Sequence, residues 1–558
     1  MKRNLIKALS LALCLTLILG ACGGGGSSAP SGSEAASSPS SEQVSATSEE
    51  SAPPESDAPE ASSESGDTSF LVTDEPLELT AHVHWGNIYV LGDDWTIEKE
   101  AARLTNVSLK GTASPMEGDS KQAFNLMIAS KDIPDLVGGN RDDINQYGIE
   151  GAFVPLNDLI ETQMPNFKAV LDANPDVRGA ITAADGNIYQ IPTIYENLIS
   201  EAWFIRQDWL DKVGKDVPTT VDELYDVLTA FANEDPNGNG KKDEIGVFTR
   251  LSGPLDNKVL SVMSLYGVSD YWHLDKDGKV EIGLYTPEAK DAIKAVSKWY
   301  SEGLIDPEIF TRGGTSRDML FPENNGAVIH DWIPSTSGYN PKMQEVVPGF
   351  KLVGFLPPVD SNGDRWEVAS RDKLTGAGWA ISVNNEHPEE SARYMDFWWS
   401  EEGRRLSTYG IEGDTYTMVD GVPTYTDKVL TASTPINDYM RKIGGQVEDV
   451  AYFHDASYEN FMMDEEGAKT IDLYDEADVV MSLNSKLPAL SYTEEELATY
   501  TSKYPPCRTY MLEQLQKWVF DSSNIDAEYD NYMATLSSMG MDELFAIQQA
   551  AYDRLMSN

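Results

Sequence analysis

The chain has 558 residues, 91 acidic against 42 basic, for a net charge of −49, and 41 % of them are hydrophobic, with 12 Trp, 25 Tyr and 16 Phe. That length and apolar content exclude wholesale disorder and allow about three compact units or two large lobes. The acidity excludes a binder of phosphate backbones, which needs clustered Lys and Arg, and the three cysteines (Cys14, Cys22, Cys507) exclude a disulfide framework or a four-thiolate zinc site.

Lys2, Arg3 and Lys7 precede an apolar run from Leu9 to Leu19, the layout of a secretory signal over residues 1–21. The run is also close to the ~20 residues of a spanning helix. Leu19-Gly20-Ala21-Cys22 decides between the two, because it resembles the lipobox of bacterial lipoproteins. In those proteins the cysteine receives a diacylglyceryl group and becomes the new N-terminus, so the resemblance implies a lipid anchor at Cys22. Each buried CH₂ contributes roughly 0.8 kcal/mol, so two acyl chains hold far better than one. Residues 22–69 are Gly, Ser, Ala, Pro and Glu with almost nothing apolar, and are expected to be a disordered tether. Coil statistics give it a reach of roughly 40 Å, which suits a Gram-positive cell wall.

The folded body is expected from Phe70. Leu77–Val83 alternates as a strand, Thr96–Leu104 reads as a helix, Val107–Leu109 as a strand, Lys121–Ala129 as a helix, and Asp135–Gly139 as a buried strand ending in a glycine turn. This alternation predicts an α/β fold with largely parallel sheets. Amphipathic helices are expected over Val221–Asn233, Pro287–Glu302 and Pro388–Glu402, and the last 70 residues read as mostly helical.

Three groups of motifs carry a resemblance: Tyr189-Gln190-Ile191-Pro192 with Trp203–Leu210 and Pro218–Leu224; Trp379–Ser382 with His387-Pro388-Glu389 and Ser400–Gly403; and Tyr409–Gly413. Their order and spacing resemble extracellular solute-binding proteins of family 1, and more narrowly the large oligosaccharide-binding lipoproteins of Gram-positive ABC importers. The resemblance implies a two-lobed, type II periplasmic-binding-protein-like α/β fold with a hinge of crossing segments and a helical C-terminal region. Solute would sit in the interlobe cleft, and lobe closure would present the loaded form to permease subunits. By analogy the N-terminal lobe takes residues 70–193 with 377–410, and the C-terminal lobe 194–376 with 411–558. Crossings are expected at Ile191–Glu196, at Thr375–Ile381 and after the helix ending near Gly403.

Asp235-Pro236-Asn237-Gly238-Asn239-Gly240-Lys241-Lys242-Asp243 places oxygen side chains at loop positions 1, 3, 5 and 9 with glycine at 6. Calcium, a hard cation with six to eight oxygen ligands, demands that pattern. Asp235, Asn237, Asn239 and Asp243 would supply side-chain oxygens and Lys241 its carbonyl. Gly246 stands where an EF-hand carries its bidentate glutamate, and Glu244 is the expected replacement, as in similar loops of the resembled family. The alternative is a solvated turn. A structural role is expected, because a strand and not a second helix follows.

Sugars stack their C–H faces on aromatic rings, so Trp332, Trp379, Trp85 and Trp203, near strand ends or crossings, are candidate platforms, each against the alternative of core packing. Asp331, Arg206, Arg371, Asn140 and Glu412 are polar candidates; Arg371 could equally pair at the surface beside Asp372. His82 and His84 alternate on one strand but lack a visible third metal ligand. No catalytic motif of zinc proteases, serine hydrolases or P-loop enzymes is present. The expected function is a monomeric, lipid-anchored receptor, not an enzyme, that delivers an oligosaccharide to an ABC permease from the outer face of the cytoplasmic membrane. The alternatives are a surface glycoside hydrolase, whose carboxylate pair is defined only in space, and a non-transport adhesin or sensor lipoprotein.

Overall fold

The computed structural model describes residues 70–557, apart from 87, 196–198, 251–258, 276, 368–370, 372, 447–452, 455 and 478–486. The signal, the tether and Cys22 lie outside the described residues.

The strands fall into three runs. The first holds β1 (Leu77–His82), a short hairpin of β2 (His84–Trp85) and β3 (Tyr89–Val90), β4 (Val107–Gly111), β5 (Leu136–Asn140) and β6 (Ile191–Tyr195). The second holds β7 (Glu201–Arg206), β8 (Ile245–Phe248), a hairpin of β9 (Trp272–Leu274) and β10 (Val280–Ile282), β11 (Gly326–Trp332) and β12 (Leu352–Phe355). The third holds β13 (Leu374–Ile381), a hairpin of β14 (Tyr416–Val419) and β15 (Val422–Tyr425), and β16 (Phe453–His454).

Pairing sorts these runs into two main sheets. The first has the order β16-β6-β13-β5-β1-β4, so β13 of the third run lies between β6 and β5 of the first. The second has the order β12-β7-β11-β8. Within the first sheet β1 is parallel to β4 and β5, whereas β13 is antiparallel to β5 and β6.

Both faces of each sheet are covered, and the two-residue period of a strand accounts for the pattern. In β7, Trp203 and Ile205 enter one core while Ala202 and Phe204 enter another on the opposite face. In β13, Trp379 and Ile381 pack into the core with Leu79 and Leu136, and Ala380 packs on the other side with Val137 and Phe153. Every large side chain so enclosed contributes about 1.5–3 kcal/mol relative to exposure.

The chain changes sheets between β6 and β7 and again between β12 and β13. The third passage differs from expectation. After the helix Glu401–Tyr409 the chain stays with the first lobe, burying Tyr416, Tyr425, Met440 and Tyr458 in its core. It leaves only between Phe461 and the helix Glu465–Glu476, whose Tyr474 hydroxyl accepts from Trp203 N and donates to Phe355 O, both at 2.9 Å. Tyr416, Tyr425, Val429, Met440 and Tyr458, expected in the second lobe, therefore pack in the core of the first. The expected single helix Pro388–Glu402 is also two, Pro388–Phe397 and Glu401–Tyr409, because Ser400 Oγ accepts from Gly403 N (3.1 Å) and starts a new helix.

Three helices, Glu494–Phe520, Ile525–Met539 and Met541–Ser557, complete the second core with Cys507, Trp518, Tyr529 and Leu544. A capping box of Thr493 and Glu496 starts the first of them. They also reach the first lobe. Arg554 Nη2 donates to Ser491 O (2.9 Å) and Glu496 Oε2 (2.6 Å), and Ser491 Oγ donates to Ala180 O (3.0 Å). Among the described residues no helix is long and apolar enough to cross a membrane.

Candidate functional site

A cavity of about 760 Å³ opens at the carboxyl ends of β1 and β5. Open α/β sheets bind ligands at that edge, where the loops leave the strands, and the volume falls within the ~300–1,000 Å³ of small-molecule sites. Val83, His84, Trp85 and Gly86 form one wall, and Gly138, Gly139 and Asn140 with Gly376 and Ala377 of β13 form the floor. The helices Ser120–Ser130 and Arg141–Ile149 add Lys121, Phe124, Asp142, Asp143 and Gln146. The first turns of Glu494–Phe520 close it with Glu494, Leu497, Ala498 and Thr501.

The floor is built from glycine for a steric reason. A Cβ at Gly139 would stand 2.6 Å from the Phe124 ring, so any side chain there would push the aromatic wall away. Asn140 Oδ1 accepts from Asp142 N (2.9 Å) and caps the following helix, and its amide nitrogen lies by Gly376. Trp85 is half-buried and stacks on Tyr89 with centroids 5.3 Å apart, and the Arg441 guanidinium lies 5.0 Å from its ring. Its indole N–H is buried without a hydrogen-bond partner. Both His84 ring nitrogens are engaged, by Ser120 Oγ (2.8 Å) and Glu117 O (2.7 Å), and burial pushes His82 down to about 4. His84 is thus a hydrogen-bonded part of the wall, and His82 lies buried behind it, outside the lining.

Of the residues singled out from the sequence, Trp85 and Asn140 come together here. Others go elsewhere. Trp203 and Trp379 are enclosed in the cores of the second and first lobes, because they lie on strands whose two faces are both covered. Arg206 is fully buried: it donates to both Asp208 oxygens (2.7 Å each) and to Asn324 Oδ1 (2.7 Å), and lies 4.3 Å from the Phe350 ring centroid. A solute role for these three gives way to packing. Asp331 is clamped by Arg250 (3.0 and 2.9 Å) and Arg317 (3.2 Å), and also accepts from Trp332 N. Trp332, half-buried, starts a short helix after β11. Arg371 pairs with Glu459 and lies over Tyr195, and Glu412 is exposed beside Tyr416. None of these lines the cavity. Lys121, Asp142 and Glu494 were missed, since their helices meet only through tertiary packing; the capping signature of Thr493-x-x-Glu496 was the one local hint.

The candidate calcium loop follows the helix Val221–Glu234 in the second lobe. Asp235 takes a left-handed conformation (φ 48°), as do Gly238 and Gly240 (φ 73° and 76°). Asp235 accepts from Asn239 N (3.0 Å) and Gly240 N (2.9 Å), and Asn239 Oδ1 from Lys241 N (2.8 Å), curling the backbone around its own oxygens. Asp243 accepts from both Asn237 and Asn239, and the bond from Asn239 is the main cause that lowers its carboxyl. Glu244 Oε1 is buried with no partner. Burial first, then the charges of Asp235 and Asp243, push its carboxyl up. Among the described residues no three His, Cys, Asp or Glu side chains form a metal-binding group. An orphaned buried carboxylate oxygen facing two like charges fits a cation.

Two α/β lobes joined by crossing segments, with a cavity at the strand ends of one, define a two-lobed binding protein. The chain belongs to the bacterial extracellular solute-binding protein family, whose model matches residues 99–415. It is 27 % identical over 465 residues to the fructooligosaccharide ABC transporter substrate-binding protein FusA of Streptococcus pneumoniae serotype 4 (strain ATCC BAA-334 / TIGR4), covering 79 % of this chain and 84 % of that one. The crystal structure of the alginate-binding protein AlgQ2 without calcium ion superposes with a TM-score of 0.72 at 37 % identity, over 87 % of this chain and 99 % of that one. An EF-hand mutant of FusA in complex with fructo-nystose shares the fold, with a TM-score of 0.65 at 24 % identity over 86 % and 100 %.

Proposed function

We propose that this protein is a lipid-anchored, extracellular receptor that captures an oligosaccharide in the cavity at the β1 and β5 strand ends and delivers it to an ABC permease. The observation that carries the reading is the cavity itself: one half-buried indole, a glycine floor, and amide and carboxylate groups spaced around it. Such a site stacks a sugar ring and satisfies its hydroxyls. The names of FusA and AlgQ2 support the substrate class. Closure of the lobes follows from the ligand's differential affinity for the two states. Trp332 and the Arg250–Asp331 pair, at the end of β11, are the groups we assign to the opposing lobe.

Anchoring is assigned to Cys22, which places the protein on the outer face of the cytoplasmic membrane as a monomer. A calcium ion is assigned to Asp235, Asn237, Asn239, Asp243 and Glu244 with the Lys241 carbonyl, where it would neutralise converging carboxylates and fix the turn. The role is binding without chemistry. Thermal-shift screening of the full chain against oligosaccharides, with chromatography of the mixture, tests this. A shift of about 2.7 kcal/mol at 100 times the dissociation constant, with no product, is expected; release of shorter sugars refutes it. Cys22→Ser is expected to abolish lipid labelling, and normal labelling of that variant refutes the anchor.

A further inference from the structure

We propose that the cavity accepts a neutral glycan and excludes uronates; this rests on the reading of the cavity as the glycan site. Among the described residues, the charged side chains lining it are Lys121, Asp142, Asp143 and Glu494, one cation against three anions, a sum of −2. Its one lining cation is already engaged: Lys121 Nζ lies 2.5 and 2.6 Å from the two Asp143 oxygens. Arg141 approaches Asp142 at 3.3 Å but does not line the cavity, and its side chain is only 11 % exposed. The remaining polar lining, Ser120, Asn140, Gln146 and Thr501, is neutral.

An incoming uronate would therefore meet carboxylates without an uncommitted ammonium or guanidinium to receive it. A hydroxylated ring meets the reverse. Each sugar O–H can donate to Asp142 or Glu494, and hydrogen bonds with an ionised acceptor are shorter and stronger than neutral ones. The same carboxylates that select hydroxyls repel carboxylates, so attraction and exclusion come from one set of atoms. Of the cations beyond the cavity, Arg441 lies over the Trp85 ring and faces Asp438 at 3.7 Å. Arg250 is held by Asp331, Arg371 by Glu459 and Arg206 by Asp208, and recruiting any of these three would leave a largely buried carboxylate behind. At longer range the net charge of −49 lowers the encounter rate with polyanions.

The test is isothermal titration of the full chain with neutral tri- and tetrasaccharides (kestose, nystose, maltotetraose, xylotetraose) and with tetragalacturonate and an alginate tetramer, at low and at physiological salt. At least one neutral sugar is expected to bind, with the acidic tetramers about tenfold weaker or worse. The double variant Asp142→Asn/Glu494→Gln is expected to narrow that gap, as is added salt. Uronate binding as tight as or tighter than the neutral sugars overturns the inference while sparing the glycan reading. A gap unmoved by both the variant and salt overturns the charge argument. If no saccharide of either class binds, the glycan reading itself fails.

Discussion

Glu98 stands in the first turn of the helix Thr96–Thr105, buried, with the Tyr394 hydroxyl donating to it at 2.7 Å. Burial raises its carboxyl from 4.5 to about 7, against the opposing effect of that hydrogen bond. The helix dipole also favours a negative charge here, but only by about 0.3–1 kcal/mol, less than the effect of burial. In the unfolded chain the same group ionises near 4.5. The stability it supports is therefore complete below that pH and is lost as pH rises to about 7. At about 1.4 kcal/mol per pKa unit the loss approaches ~3 kcal/mol. Glu98→Gln keeps the shape and the acceptor for Tyr394 but cannot ionise. Its melting temperature should match the parent near pH 4 to within a constant offset, and exceed that baseline by roughly 6–12 °C at pH 8 if the first lobe unfolds as a domain of 150–250 residues. Calorimetry across this range measures the difference. A difference between variant and parent that does not change with pH refutes the reasoning.

Trp85→Ala should weaken oligosaccharide binding about tenfold by titration calorimetry, as expected for an aromatic platform worth about 1.5 kcal/mol; unchanged affinity would remove Trp85 from the site. Calcium should raise the melting temperature of the parent and not of Glu244→Gln, with a chelator reversing the effect; no calcium response in the parent reduces the loop to a turn. Arg206→Ala removes both guanidinium bonds to Asp208, leaving it only Lys351 N, and the bond to Asn324; it should cost about 3–5 kcal/mol in urea denaturation, and a loss below about 1 kcal/mol would contradict the buried clamp. Gly139→Ala should displace Phe124 and cost about 1–3 kcal/mol, with loss of ligand affinity exceeding the loss of stability.

Local patterns proved readable where they act locally. Leu77–Val83, Thr96–Leu104 and Val221–Asn233 are found as β1 and two helices to within a residue at each end, since their alternation, amphipathic spacing and the Thr220 capping box do not depend on the rest of the fold. The break at Ser400 is visible in the sequence as Ser-Glu-Glu-Gly, a helix-capping pattern inside an amphipathic stretch, but the expected helix Pro388–Glu402 runs across it. The tryptophans were not readable in the same way. A sheet covered on both faces buries alternate residues equally, so nothing along β7 or β13 distinguishes a core indole from one at a cleft. Trp85 differs because β2 and β3 form a two-residue hairpin at the edge of the site. The carboxylates of the cavity depend on the first turns of Glu494–Phe520 meeting helices some 350 residues earlier, a contact only the folded chain creates.

The placement of β13 has a consequence for how such a protein comes into being. It is the fourth strand from the β4 edge, between β6 and β5, so the first sheet stays split into two fragments until residues 374–381 are available. The second core likewise waits for Trp518, Tyr529 and Leu544. Neither lobe can complete itself from an early portion of the chain. A polypeptide crossing a membrane from its N-terminus through a narrow conduit thus has no finished lobe to jam there. Non-local pairing of this kind slows folding, and for an exported chain that delay keeps the polypeptide threadable until most of it has reached the far side.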